Sequence, residues 1–126
     1  LKNSIISILI FLSMFIFIKY SHDEVISLCD DIIKKCEVIE NLIDSEDWDK
    51  SYNDSIKLMN DIDDSFSFIS VYMNHQEVDL LHNETLKLSQ YAKFKNKSES
   101  LASVHVIKHS ADSIKELQDI RIKNIF

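Results

Sequence analysis

His105 and His109 stand four residues apart in a stretch with helical periodicity. That spacing can aim two imidazoles at one metal ion from adjoining turns, as zinc sites do. His75, Asp79 and His82 fall on adjoining turns of another such stretch. Joined with His105 they would form a metal- or proton-responsive cluster. The competing reading needs no ligand. His105 lies beside the Leu101/Val104 apolar line and His109 beside Ala111, so both are boundary positions that a neighbour can satisfy. Asn74 and Glu77 fit a helix-capping pair. The Glu-x-x-His pairs of carboxylate-bridged bundles are absent from the sequence. His75, His82, His105 and His109 are therefore kept as an alternative metal site only, and no metal, cofactor or catalytic residue is assigned.

Other polar groups divide in the same way. The acidic run Asp44, Glu46, Asp47 and Asp49 has calcium-friendly residue types but lacks the alternating spacing and turn glycine of an EF-hand loop. It reads as a turn that caps the following helix. Trp48, just inside that helix, reads as a core anchor. Asn74, His75, Glu77, Asp79 and Trp48 are the candidate partner-binding residues. Cys29 and Cys36 are seven apart, roughly 10.5 Å along a helix. A disulfide needs Cα atoms within about 7 Å, so an intrahelical bridge is excluded. Both sit on an apolar line and read as core residues, with a bridge between two copies as the alternative.

The chain contains no glycine and no proline. Phosphate-cradling loops, dinucleotide fingerprints and nucleophile elbows need glycine where backbone approaches closely or takes positive φ. None of them exists here in its usual form, and the expectation is a protein that is not an enzyme. Charge is unevenly placed. Residues 23–64 hold 14 acidic and 4 basic side chains, and residues 65–126 hold 7 and 8. The acidic half argues against nucleic acid and anionic lipid headgroups as partners. Isoleucine occurs 19 times and arginine once, a skew that follows AT-rich coding and carries no function. It also discounts Asn53, Asn83 and Asn96 as glycosylation sites.

The elements follow from periodicity. Val25, Leu28, Cys29, Ile32, Cys36, Ile39 and Ile43 form a first stripe, which a capping box at Ser21 and Glu24 could open, or which could run straight on from the segment before it. Trp48, Tyr52, Ile56, Met59, Ile62, Phe66, Ile69 and Met73 form a second, on a helix of about 27 residues at 3.6 per turn. Asn74 caps a third helix, with Met73 and Val78 placed as a hydrophobic staple, and its stripe is Val78, Leu81, Thr85, Leu88 and Ala92. Ser98 is expected to cap the last, whose stripe is Leu101, Val104, Ile107, Ala111, Ile114 and Leu117. Short connections imply antiparallel neighbours, so the fold class is all-α: an N-terminal transmembrane helix, then an up-down four-helix bundle.

That transmembrane helix is Asn3–Ile18, sixteen residues without a charge between Lys2 and Lys19. It spans roughly 24 Å, against a bilayer core of about 30 Å. Snorkelling lysines and Tyr20 at the interface make up the difference. No small residues stand where a signal peptidase would cut, and Cys29 is too far downstream for a lipoprotein. Residues 1–20 are therefore expected to be an uncleaved signal-anchor and residues 21–126 a helical domain. The expected location is the cell membrane, single-pass, with the N-terminus cytoplasmic and the C-terminal domain extracytoplasmic. Leu1 is expected to be a non-ATG start codon translated literally, with a fragment as the alternative.

Several stretches together carry a resemblance. They are Asn74-His75-Gln76-Glu77-Val78-Asp79, Leu88-Ser89-Gln90-Tyr91, Asn96-Lys97-Ser98-Glu99-Ser100-Leu101-Ala102-Ser103, His105-Val106-Ile107-Lys108 and Asn124-Ile125-Phe126. With the anchor and the Asp47-Trp48 turn, they resemble the domain-of-unknown-function 4363 family across essentially the whole chain. The resemblance implies a small membrane-anchored protein of low-GC Gram-positive spore-formers. It implies no activity or cofactor. It also implies a membrane complex, through a link to genes for YetF-like membrane proteins. The functional expectation is a non-enzymatic accessory or interaction subunit of a cell-envelope complex, with an integral membrane protein as partner. The alternative is a metal- or pH-responsive sensor or binding module built on the histidines.

Overall fold

The computed structural model describes residues 1–69 and 74–125; of residues 68, 69 and 125 only the backbone is described. Among the described residues it is all-α, with α1 Lys2–Asp44, α2 Trp48–Ile69, α3 His75–Lys93 and α4 Lys97–Ile125. The apolar segment and the first bundle helix are one element. With no glycine or proline to stop it, α1 runs for 43 residues, roughly 64 Å at about 1.5 Å per residue. Ser21 and Glu24 lie inside it, so the capping box expected there does not form. The helix takes the other course, straight on from the apolar segment.

From Val25 onward, α1 turns one line of side chains inward: Val25, Cys29, Ile32, Cys36, Ile39 and Ile43, each fully buried. Steps of four and three keep such a line facing one way, as in a coiled-coil seam. The helices alternate in direction, and each packs on its sequence neighbour, with α4 closing against α1. The result is a helical bundle around one core. Most of the third and fourth stripes lie as expected, with Leu81, Thr85, Leu88 and Ala92 buried on α3 and Val104, Ile107, Ala111 and Ile114 on α4, while Val78 and Leu101 are only partly buried and Leu117, expected to end the fourth stripe, is 42 % exposed.

The second stripe is rotated from its expected position. Ser51, Ser55, Leu58, Ile62 and Phe66 are buried, while Tyr52, Ile56 and Met59 are half-buried. The serines fit because their hydroxyls bond their own helix. Ser51 Oγ donates to the Asp47 carbonyl at 2.7 Å and Ser55 Oγ to the Ser51 carbonyl at 2.6 Å, which removes the penalty of a buried free hydroxyl. The described part of α2 is 22 residues. The expected extension of that helix to Met73, and the staple from Met73 to Val78, lie outside the described residues.

Two turns at one end of the bundle share a construction. After α1, Glu46 N–H donates to the Ile43 carbonyl at 3.0 Å and Asp47 N–H to the Leu42 carbonyl at 2.9 Å. After α3, Lys95 N–H donates to the Ala92 carbonyl at 3.1 Å and Asn96 N–H to the Tyr91 carbonyl at 2.9 Å. Both are Schellman closures, which usually place glycine at the left-handed position. Here Glu46 (φ 60°) and Lys95 (φ 57°) occupy it. The next residue caps the following helix. Asp47 Oδ1 accepts from Lys50 N–H at 3.4 Å, and Asn96 Oδ1 accepts from Glu99 N–H at 3.2 Å. The cap of α4 is therefore Asn96, and Ser98 sits one residue inside the helix. At α3 the expected cap holds: Asn74 Oδ1 accepts from Gln76 N–H at 3.1 Å, and Glu77 N–H goes to the Asn74 carbonyl at 3.0 Å.

A β-carbon in the left-handed region costs about 1 kcal/mol. Lys95→Gly is therefore expected to stabilise the chain by up to roughly 0.5 kcal/mol, net of the extra backbone freedom in the unfolded state. Urea unfolding of the detergent-solubilised protein, followed by circular dichroism, would measure it. A loss of stability would mean that Lys95 makes a native contact worth more than its backbone strain.

Candidate functional site

The bundle distributes its polar side chains along its seams. On the α1–α4 seam, Glu40 receives two groups from successive turns of α4. His105 Nε2 lies 3.1 Å from Oε1 and Lys108 Nζ 3.4 Å from Oε2. Lower on the same seam Lys115 Nζ donates to Asp30 Oδ1 at 2.5 Å, and His22 Nε2 lies 3.4 Å from Asp119 Oδ1. His22 Nδ1 is buried with no hydrogen-bond partner. On the α1–α2 seam Lys35 bridges Asp31 and Asp61, both at 2.8 Å. On the α2–α3 seam His82 Nδ1 lies 2.8 Å from Asp63 Oδ1.

Local sequence places these groups. Asp30 follows core residue Cys29, Glu40 follows Ile39, Lys108 follows Ile107 and Lys115 follows Ile114. Each stands one residue past the core line, where a bundle sets its interhelical ion pairs. Sequence periodicity missed this ladder; that offset from the apolar stripes was the signal to read for Asp30, Glu40, Lys108 and Lys115, but His22 and Asp119 do not have it.

The histidines do not meet. His82, His105 and His22 each take a carboxylate on a different helix, while His75 and His109 are exposed. Among the described residues no three His, Cys, Asp or Glu side chains are grouped to hold a metal ion. The partner candidates also divide. Asn74, His75 and Asp79 are exposed, and Glu77 half-buried, at the start of α3. Trp48 is at the opposite end of α2, partly buried against the core. Two surface grooves accompany the seams. One, of about 240 Å³, lies between α1 and α2 over Lys35, Val38, Leu58 and Asp61. The other, of about 410 Å³, follows α1 past Asp23, Ser27, Asp30 and Lys34.

Titration follows these contacts. The hydrogen bond from His105 holds the Glu40 carboxyl below its usual range; burial opposes it, and the bond and charge of Lys108 add to the lowering. Burial lowers the Lys35 pKa, but the bonds to Asp31 and Asp61 outweigh it and the net shift is upward. The bond to Asp30 raises Lys115. Burial pushes the Cys29 and Cys36 thiols up to about 12. Both are free and buried, inert positions in the core. A bridge between two copies would require the bundle to open.

An all-α bundle led by a long apolar helix, with polar pairs strung along its seams, defines a class of small helical domain without naming an activity. The particular family follows from comparison: the model for the domain of unknown function DUF4363 matches residues 19–125, and the chain belongs to that family. No curated protein and no solved structure matches this chain. The family match begins at Lys19, where the uncharged segment ends.

The Glu40 contacts fix the sign of one pH effect. A carboxyl whose folded pKa is depressed contributes stability that is present above the unfolded value, near 4.5, and is lost as pH falls through the folded value. Glu40→Gln should therefore lower the melting temperature near neutrality and flatten its decline below about pH 4.5. Exposed pairs of this kind contribute roughly 0.2–1 kcal/mol. Thermal melts of both proteins between pH 6 and pH 3 would show it, and parallel curves would refute the assignment.

Proposed function

We propose that this chain is an uncleaved, single-pass membrane protein whose bundle is a non-enzymatic accessory or interaction subunit of a cell-envelope complex. One observation carries the anchor. The first part of α1 is unbroken helix, with an 18-residue window of mean hydropathy 2.0 that is 0 % buried against the rest of the protein. Ile5, Ile8, Leu9, Phe11, Leu12, Met14 and Ile16 are all more than half exposed. An apolar surface of that extent needs a partner phase, and a helix that satisfies its own backbone can enter a bilayer. In this reading the N-terminus is cytoplasmic and the bundle lies outside.

The accessory role is favoured by the dispersal of polar groups. Catalysis requires titrating groups to converge on a pocket, whereas the contacts here are small groups of two or three side chains spread along different seams. A subunit of this form would contact an integral membrane protein through α1, the bundle or both, and the family resemblance suggests a YetF-like one. The histidine-based alternative retains one supporting observation, the three histidine–carboxylate contacts that each join two helices.

Pull-down of the tagged full chain from gently solubilised native membranes, read by mass spectrometry, is expected to return one integral membrane protein in stoichiometric amount. A clean bait would remove the complex and move the reading to ligand sensing or self-association.

Zinc separates the two readings independently. The accessory reading expects no change in melting temperature at saturating metal. A ligand that binds only the folded state would raise it by mass action, and a saturable rise would favour the sensor.

A further inference from the structure

At the end of the bundle away from the apolar segment, the two Schellman turns lie side by side. Lys97 Nζ donates to the Asp44 carbonyl at 3.4 Å and stands 4.0 Å from Glu46 Oε1. Ile18 to Asp44 is roughly 39 Å along α1, so a bilayer around the apolar segment is out of reach of this end. Phe94 lies here, at the close of α3, and is 75 % exposed. No large apolar side chain described beyond Lys19 is more exposed. Aromatic rings are among the side chains that protein interfaces bury at their centres.

Charge at this end is divided between the two turns. Residues 36–49 contain no lysine or arginine, and residues 85–98 no aspartate or glutamate. One turn exposes Asp44, Glu46, Asp47 and Asp49, the other Lys93, Lys95 and Lys97 around Phe94. Lys50 and Glu99, in the first turns of α2 and α4, temper the division without reversing it: residues 44–50 carry a net of −3 and residues 93–99 a net of +2. Lys97 is engaged within the chain, and Asp47 caps α2. Lys93 and Lys95 on one turn, and Asp44 and Asp49 on the other, have no ion-pair partner among the described residues. This division decides the occupant. A foreign partner would need the same two charges in opposite order, whereas a second copy carries them by construction. About a twofold axis, each turn meets the opposite turn of the other copy.

We propose that this end of the bundle is a self-association surface. Two copies pair through it about a twofold axis, with Lys93 and Lys95 of each on the Asp44, Glu46 and Asp49 turn of the other, and Phe94 covered at the contact. The pairing goes beyond the accessory reading and does not depend on it, because it leaves α1 and the seams free for a membrane partner. The contact is the small end of one bundle on another, held largely by exposed charges, so it is weak and falls with salt.

The test crosslinks the detergent-solubilised full chain with a carbodiimide, which joins an amine to a carboxylate only where the two touch. Equal amounts of unlabelled and heavy-nitrogen-labelled chain are mixed, and linked peptides are mapped by mass spectrometry. The Lys97–Glu46 contact within one chain, at 4.0 Å, supplies the control, an unmixed link. The expected result is Lys93 or Lys95 joined to Asp44, Glu46 or Asp49 in peptides of mixed isotope, reduced at least twofold by high salt and by Phe94→Ala. Lys93→Glu with Lys95→Glu should abolish the mixed links, and so should Asp44→Lys with Asp49→Lys. Mixing those two variants should restore links between them. All these positions are exposed, and circular dichroism checks that each variant is folded. Unmixed links alone in the unaltered chain would overturn the pairing, and the membrane pull-down would still decide the accessory reading. Mixed links confined to other surfaces, or surviving both charge reversals, would overturn it too. If the chain stays single while Phe94→Ala releases the membrane protein from the pull-down, this end serves that protein and the pairing is overturned.

Discussion

Burial of a single line of side chains on α1 is the interaction on which the rest of the bundle depends. Val25, Ile32, Ile39 and Ile43 supply its bulk, and the thiols of Cys29 and Cys36 fill the intervening positions as small apolar groups. Full burial of each aliphatic side chain contributes roughly 1.5–3 kcal/mol. The other helices answer this wall with a mixture of large and small residues. Leu58, Ile62 and Phe66, Leu81 and Leu88, and Val104, Ile107 and Ile114 interleave with Ser51, Ser55, Thr85, Ser89, Ala92 and Ala111. Small residues let neighbouring helices come close. They cost little here, because Thr85 and Ser89 donate to carbonyls of their own helix as Ser51 and Ser55 do. Ser100 is the exception, a buried hydroxyl without a partner.

The same helix carries the apolar segment, and that continuity is a mechanical fact as much as a topological one. A joint at residues 19–22 would let the bundle swing freely on the apolar segment. None is present: no cap forms at Ser21, and the helix passes through that region with His22 held toward Asp119 of α4. Rotation about the axis of α1 therefore moves the seam, the α4 ladder and the apolar segment together. Where the apolar segment sits against another helix, the direction in which the bundle faces is already set by the phase of one helix.

Much of this was legible in the sequence, and the reason is periodicity. The α1, α3 and α4 lines were readable because large aliphatic residues mark them, and the capping role of Asn74 because its side-chain chemistry is local. The line on α2 was misread for a complementary reason. Its core positions begin with Ser51 and Ser55, which look like surface, while Tyr52, Ile56 and Met59 beside them look like core. Hydropathy cannot recognise a serine whose hydroxyl is satisfied by its own helix. The cap of α4 shifted from Ser98 to Asn96 because the Schellman closure fixes where the chain re-enters a helix, and that depends on Lys95 accepting a left-handed conformation. The seam contacts were missed for another reason still. A charge flanking the core line is visible in sequence, but the partner it meets depends on how far two helices slide past one another. That offset is set by turn geometry and packing.

The arrangement of the histidines bears on what the polar chemistry is for. Convergence of titrating groups requires helices to turn polar side chains toward a shared interior point, and this interior is filled by the α1 wall and its small counterparts. His22, His82 and His105 with their carboxylates are left to the edges, where each pair spans one helix boundary. A contact at an edge fixes the axial slide between two helices, which apolar packing alone leaves loosely specified. Glu40 with His105 and Lys108, Asp30 with Lys115, and Asp119 with His22 mark three heights along α1 and α4. Together they hold the end of α4 at a defined level beside residues 16–21. These side chains therefore act mainly through position, setting which part of the surface lies nearest the apolar segment.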